Sequence, residues 1–144
     1  MPNLQRFLAK AHAAGVPVAL GTDTPFPHEV PGFAVHDELA MYVEAGLSPV
    51  DALRCATVTN AQVLGIGREV GQLSSGFVAD MVCVRGDPTI DIDDIGQVEA
   101  VVHRGLKMLP TDLFAAVQQH HARPAVDPVS MDLRGRVIEA MPKF

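Results

Sequence analysis

The 144-residue sequence predicts an α/β fold, and three features lead to this prediction. Apolar residues at helical spacing open the chain, a short continuous apolar run follows, and two more apolar runs rich in β-branched residues come after Gly71. Hydrophobic residues make up 48% of the chain, enough for a packed core in a domain of average size. The length excludes a complete (β/α)₈ barrel, which needs at least about 200 residues.

The first predicted helix is capped by Asn3 and stopped by Gly15. Its apolar residues follow the i, i+3, i+4, i+7 rule of one helix face: Leu4, Phe7, Leu8 and Ala11. Residues 16–20 form an uninterrupted apolar run, which is typical of a strand buried on both faces of a parallel sheet. The polar residues 21–24 follow at the end of that strand where α/β sheets bind ligands. Functional side chains are therefore expected there.

Two further helices are predicted after a loop at residues 25–32, which contains three prolines. The apolar residues of the first are Val35, Leu39, Tyr42 and Val43, and Gly46 ends it. The second begins with Ser48 as the cap, Pro49 in the first turn, and Asp51 placed to reach back to the cap amide. It runs toward Thr57, and a further turn stops at Gly65.

After Gly71 the pattern favours strands at Met81–Val84 and Val98–His103, each closed by a glycine. Residues 106–109 are predicted to continue the second strand as a hairpin, and the acidic stretch at 87–94 is predicted to be a solvated loop. Thr111 is placed to cap a last helix, and residues 124–144 carry no clear pattern.

Composition excludes several classes of partner. Seventeen acidic and eleven basic residues give a net charge of -6 without any basic run, so we expect no nucleic-acid partner. No stretch approaches the ~20 apolar residues of a membrane span, and the N-terminus lacks a signal pattern. Cys55 and Cys83 form no Cys-x-x-Cys motif and are predicted to be reduced core residues of a cytoplasmic protein. A disulfide between them is the alternative.

Several segments, taken in this order and spacing, resemble the metal-dependent amidohydrolase superfamily. They are Ala-Gly-Val-Pro-Val-Ala-Leu-Gly-Thr-Asp-Thr at 14–24, Glu-Ala-Gly-Leu-Ser-Pro-Val-Asp-Ala-Leu at 44–53, Ala-Thr, Asn-Ala and Leu-Gly within 56–65, and the pieces 71–76, 79–82 and 86–88. The resemblance spans roughly residues 4 to 109. Within the superfamily the chain is similar to imidazolonepropionase-like and Xaa-Pro dipeptidase-like members.

The resemblance implies a fold of three parts. Residues 1–67 would form the end of a metal-dependent hydrolase (β/α)₈ barrel, with its last strand and flanking helices. Residues 68–110 would supply the C-terminal strands of a small β-sandwich, and residues 111–144 a helical tail with an irregular C-terminus.

The resemblance also implies hydrolysis of C–N bonds in amides, ureas, lactams or dipeptides. One or two divalent metals, usually zinc, activate water in this family, and the aspartate after the last strand shuttles the proton and touches the metal. Asp23 occupies that position and is the predicted catalytic and metal-binding residue. A helix cap or a turn residue is the alternative for Asp23.

The sequence departs from the family in its other ligands. The family has a His-x-His on the first strand, a modified Lys or a Glu in mid-barrel and two later histidines, and this chain contains no His-x-His. A stable zinc site needs three or four protein ligands. We therefore expect the chain to be inactive alone and leave open whether it binds a metal.

His28 and His36 lie in or beside the loop that follows the predicted strand, so they are candidates for substrate contact. Taken singly, each is more simply a solvated loop histidine. Two further hypotheses are a non-catalytic module that oligomerises or binds a partner, and a small metalloenzyme with a rebuilt site from Asp23, His28 and His36.

Association of the chain with itself is the last expectation. A strand at 16–20, apolar on both faces, and the two later strands would lack neighbours, and open edges with exposed apolar faces are costly in water. We expect a homodimer or a higher homo-oligomer, formed through the strands or the helices between Pro49 and Leu64. The alternative is that the helix from Thr111 folds back over the gap.

Overall fold

The computed structural model describes residues 2–24 and 32–121, and the chain divides into two compact units, residues 1–110 and 111–144. The helices of the first unit are α1 (Pro2–Ala13), α2 (Ala34–Glu44), α3 (Pro49–Arg54) and α4 (Asn60–Val63). In the second unit the structure describes one helix, α5 (Pro110–His121), which begins at the boundary. Residues 122–144, which carry no clear sequence pattern, lie outside the described part.

Glycine ends the helices as predicted. Gly15, Gly46 and Gly65 all have positive φ. After α1, the Val16 N–H donates to the Ala11 carbonyl at 3.0 Å and the Gly15 N–H to the His12 carbonyl at 2.9 Å. These two bonds form a Schellman motif, which satisfies carbonyl groups at the helix end.

Two predicted helix caps are wrong. Helix α1 already begins at Pro2 and α5 at Pro110, so Asn3 and Thr111 lie inside the first helical turn. Proline suits the first position of a helix because its φ is fixed near the helical value and its missing N–H would have no intrahelical partner.

The cap at Ser48 is confirmed. The Ser48 Oγ accepts a hydrogen bond from the Asp51 N–H at 3.1 Å and donates one to Asp51 Oδ2 at 2.6 Å. The Asp51 carboxylate therefore contacts the cap hydroxyl, where the sequence predicted the cap amide. Beyond Arg54 the helix continues as a π-helix, Cys55–Thr59, which leads directly into α4.

The predicted strand at residues 16–20 is wrong: this segment has no regular secondary structure. Val18 and Leu20 pack partly buried against the core, whereas Val16, Pro17 and Ala19 are exposed. A strand buried on both faces needs paired neighbours, and the described residues cover this segment from the helical side only.

The predicted later strands are confirmed. β1 (Met81–Val84), β2 (Val98–His103) and β3 (Leu106–Met108) form an antiparallel sheet in the order β1-β2-β3. Met81 pairs with Val102, and Val101 pairs with Met108. The β2–β3 hairpin turns through Arg104 and Gly105, which both have positive φ.

Two predictions in this region need correction. The acidic stretch contains a 3₁₀ helix, Ile92–Gly96, because Ile92 is buried in the core and the Asp91 side chain accepts the Asp93 N–H at the start of the helix. Cys83 is exposed, since it lies on an edge strand of the sheet, while Cys55 is buried as predicted. Both thiols are free.

The core joins the helices to the 3₁₀ helix that precedes β2. Its buried members are Leu39, Tyr42, Leu47, Ala52, Cys55 and Ile92. None of the helices in the described part is long and apolar enough to cross a membrane.

Candidate functional site

Asp23 lies at the surface, shortly after residues 16–20, the segment that the sequence predicted as a strand. Its φ is +54°, a left-handed conformation that aspartate tolerates better than most non-glycine residues. The flanking Thr22 and Thr24 hydroxyls are hydrogen-bonded to each other, and the Thr24 N–H donates to Thr22 Oγ1 at 3.4 Å. The polar turn at 22–24 thus leaves the Asp23 residue exposed to solvent.

Residue 20 is held by an asparagine forty positions later in the chain. The Leu20 N–H donates to Asn60 Oδ1 at 2.8 Å, and Asn60 Nδ2 donates to the Leu20 carbonyl at 2.9 Å. One planar amide thus satisfies both backbone groups of one residue.

Helix α2 holds the residues on either side of Leu20. Glu38 Oε1 accepts the Gly21 N–H at 3.1 Å, and the Tyr42 hydroxyl lies 3.0 Å from the Ala19 carbonyl oxygen and 3.0 Å from Glu38 Oε1. Burial raises the pKa of Tyr42 far above its ordinary value, and the hydrogen bond and charge of Glu38 raise it further. Tyr42 therefore keeps its proton, and its neutral hydroxyl can donate a hydrogen bond to the Ala19 carbonyl or to Glu38 Oε1.

The second oxygen of Glu38, Oε2, is buried and has no hydrogen-bond partner among the described residues. Glu38 also lines a cavity of about 760 Å³ between α1 and α2, next to Gly21 and Thr22. Exposed apolar side chains of Leu4, Phe7 and Met41 form part of its wall.

The predicted histidines are only partly placed. His28 lies outside the described residues. His36 lies in the first turns of α2, half-buried, with its ring edge-on to Phe33 at 6.3 Å between ring centroids. Gly96 lies close to it, since a Cβ on Gly96 would be 3.8 Å from His36 Nδ1.

The donor set around Asp23 does not match the metal centre that the family resemblance implies. Across residues 2–24 and 32–121, no three His, Cys, Asp or Glu side chains are grouped so that they could hold a metal ion. Tetrahedral zinc sites use three or four protein ligands. The described residues therefore do not by themselves fit such a centre.

Sequence reasoning missed the three side chains that hold residues 19–21: Glu38, Tyr42 and Asn60. Asn60 belongs to a segment that carried the family resemblance, but its contact with Leu20 spans forty residues and leaves no local pattern. Glu38 and Tyr42 have the i, i+4 spacing of one helix face. This spacing was the sequence signal that could have predicted that the two side chains lie together.

Comparison with known proteins agrees with the family resemblance. The profile of the Amidohydrolase family matches residues 5–116. Ochratoxinase from Aspergillus niger is 38% identical over 94 residues, covering 62% of this chain and 18% of that protein. Imidazolonepropionase from Rubrobacter xylanophilus is 40% identical over 74 residues, covering 48% of this chain and 17% of that protein.

A solved structure is similar as well. The crystal structure of a Xaa-Pro dipeptidase with bound methionine in its active site superposes with a TM-score of 0.68 and 31% identity, covering 75% of this chain and 26% of that one. The chain thus belongs to the amidohydrolase family, with a partial amidohydrolase fold of mixed α/β class. It spans less than a fifth of the length of the two curated relatives described above.

Proposed function

We propose that this chain carries the Asp23 part of a hydrolase site that acts on a C–N bond of a cyclic amide or dipeptide-like substrate. The observation that supports this is the position of Asp23: an exposed carboxylate two residues after a backbone segment held by two helices, in a chain that belongs to the amidohydrolase family. The names of a dipeptidase and an imidazolonepropionase among the relatives favour such substrates.

The finer architecture is part of this proposal. Residues 1–67 correspond to the end of a barrel, residues 68–110 to strands of a β-sandwich, and residues 111–144 to a tail. The superposition on the Xaa-Pro dipeptidase and the confirmed strands β1 to β3 support the assignment.

The role we assign to Asp23 is that of proton acceptor for the attacking water. A carboxylate held at a fixed position can take this proton, and general bases of this kind typically contribute about 10²–10⁴-fold to the rate. Divalent metals supply the activation of water in the family, but the described residues offer too few donors for a zinc centre. We therefore propose that the chain is inactive alone.

Two experiments test the proposal. In the first, the purified chain is titrated with zinc and assayed on Xaa-Pro dipeptides and N-acyl amino acids, together with Asp23→Asn and the control Asp37→Asn. We expect neither a tight 1:1 zinc site nor turnover. Turnover that Asp23→Asn abolishes would contradict inactivity, and a 1:1 zinc site lost in both Asp23→Asn and His36→Ala would favour the rebuilt metalloenzyme.

The second experiment replaces the matching segment of the Xaa-Pro dipeptidase with residues 5–116 of this chain. We expect dipeptide hydrolysis by the chimera and a loss of about 10²-fold or more in kcat on Asp23→Asn, with Asp37→Asn unchanged. An unchanged kcat in Asp23→Asn would overturn the role of Asp23.

A second candidate function is self-association as a non-catalytic module, and exposed apolar side chains favour it. Val82 on β1 is 53% exposed and Leu106 on β3 is 68% exposed, and each of these strands has one edge without a partner in the described sheet. Such edges are templates for pairing with another chain. We propose that the chain forms a homodimer or a higher homo-oligomer through these edges.

A cytoplasmic location is a separate prediction. The two free thiols, Cys55 and Cys83, support it.

A further inference from the structure

Three side chains from two helices take the place of neighbouring strands along residues 19–21. Asn60 bonds both backbone groups of Leu20, Tyr42 contacts the Ala19 carbonyl, and Glu38 accepts the Gly21 N–H. In a paired strand, the same backbone groups would bond to the strands on either side. We call Glu38, Tyr42 and Asn60 the clamp residues.

The clamp lies directly before Asp23. Gly21 is separated from Asp23 only by Thr22, and Asp23 has a left-handed φ of +54°. We propose that the clamp residues are positioning residues, which fix residues 19–21 and thereby set the place of the Asp23 carboxylate. The hydrogen bonds of the clamp residues can be tested without any catalytic activity. Their importance for catalysis rests on the proposed function of Asp23.

Asparagine is suited to position 60 because one amide supplies a donor and an acceptor in one plane. Aspartate would lose the donor to the Leu20 carbonyl, and alanine would lose both bonds. The π-helix Cys55–Thr59 ends immediately before Asn60. A π-turn adds a residue to the helix, so the following residues are rotated by roughly 100° relative to a continuous α-helix. The π-helix thus sets the direction in which Asn60 points.

Glu38 orients the Gly21 N–H, but it does so at a cost in folding stability. Its Oε1 accepts the Gly21 N–H and lies at hydrogen-bond distance from the Tyr42 hydroxyl, while its buried Oε2 has no partner in the described part of the chain. A buried oxygen without a donor is unfavourable. A buried polar atom without a partner calls for an explanation, and the positioning of the Gly21 amide by Glu38 supplies one.

Amide hydrogen exchange, measured by NMR on the full chain, tests the clamp without metal or substrate. In Asn60→Ala we expect the Leu20 amide to exchange at least about tenfold faster and the Asp23 amide resonance to shift, while the Val101 and Val102 amides change by less than about twofold. The matched control is Thr57→Val, because the Thr57 hydroxyl bonds within its own helix to the Leu53 carbonyl at 2.7 Å. It should leave the Leu20 amide unchanged.

A second pair of variants examines Glu38. Glu38→Gln keeps an acceptor for the Gly21 N–H and should preserve its protection, whereas Glu38→Ala should lose it. A Leu20 amide unprotected in the wild type, or equal acceleration of all amides in Asn60→Ala, would overturn the proposal. If the exchange results hold but Asp23→Asn leaves the activity of the chimera intact, the proposed function fails and the clamp stands.

Discussion

At the scale of the residue, Gly71 is a position where backbone conformation and space both require glycine. Its φ is +98°, and a Cβ there would lie 2.7 Å from the Ala61 Cβ and 3.1 Å from the Thr57 carbonyl oxygen. We expect Gly71→Ala to lower the free energy of unfolding by about 2–4 kcal/mol, through left-handed strain and overpacking. Urea denaturation measures this change. Gly76→Ala is the control, because Gly76 has a φ of +89° but a Cβ there would meet no atom within 4 Å. This variant should lower the free energy of unfolding by about 1 kcal/mol. Equal losses in the two variants would contradict the steric argument.

At the scale of the element, the N-terminus of α3 makes part of the stability depend on pH. The hydrogen bond from Ser48 lowers the pKa of Asp51 below its ordinary value of 3.8; slight burial opposes the shift, and the charges of His12 and Arg54 add to it. Because the folded pKa lies below the unfolded one, this stabilisation is present above about pH 4 and is lost as the pH falls through the lowered pKa.

Ser48→Ala should therefore lower the free energy of unfolding by about 1 kcal/mol at pH 7. This difference in stability between the variant and the wild type should become smaller toward pH 3. Urea midpoints at the two pH values give the comparison. Ser75→Ala, at an exposed loop serine, should change neither midpoint. A Ser48→Ala deficit that stays constant or grows on acidification would refute the coupling.

At the scale of the whole molecule, we expect the chain to associate with itself through the strand edges. Sedimentation equilibrium should show a dimer or larger species, and salt should strengthen the association because the chain carries a net charge of -6. Val82→Lys and Leu106→Lys place charges on the two edge strands and should weaken it, whereas Ile90→Lys, in an exposed turn, should not. A single 15.3 kDa species across micromolar concentrations would rule association out.

The sequence by itself determined the features that depend on a few neighbouring residues. Gly15, Gly46 and Gly65 end their helices, Ser48 caps α3, and the β-branched runs form β1 and β2. These outcomes follow from local hydrogen bonds and backbone preferences, so the residue types and their spacing were sufficient. The family resemblance likewise depended on the order of short segments.

Only the tertiary structure decided how residues 16–24 are held. The apolar composition of residues 16–20 predicted a buried strand, but a strand forms only where a partner offers its backbone. Here side chains of α2 and α4 bond residues 19–21 instead. The contact between Leu20 and Asn60 spans forty residues, and nothing in either local sequence specifies it. Local signals fix which elements form, whereas the groups that satisfy an unpaired backbone depend on which distant side chains the packing brings to it.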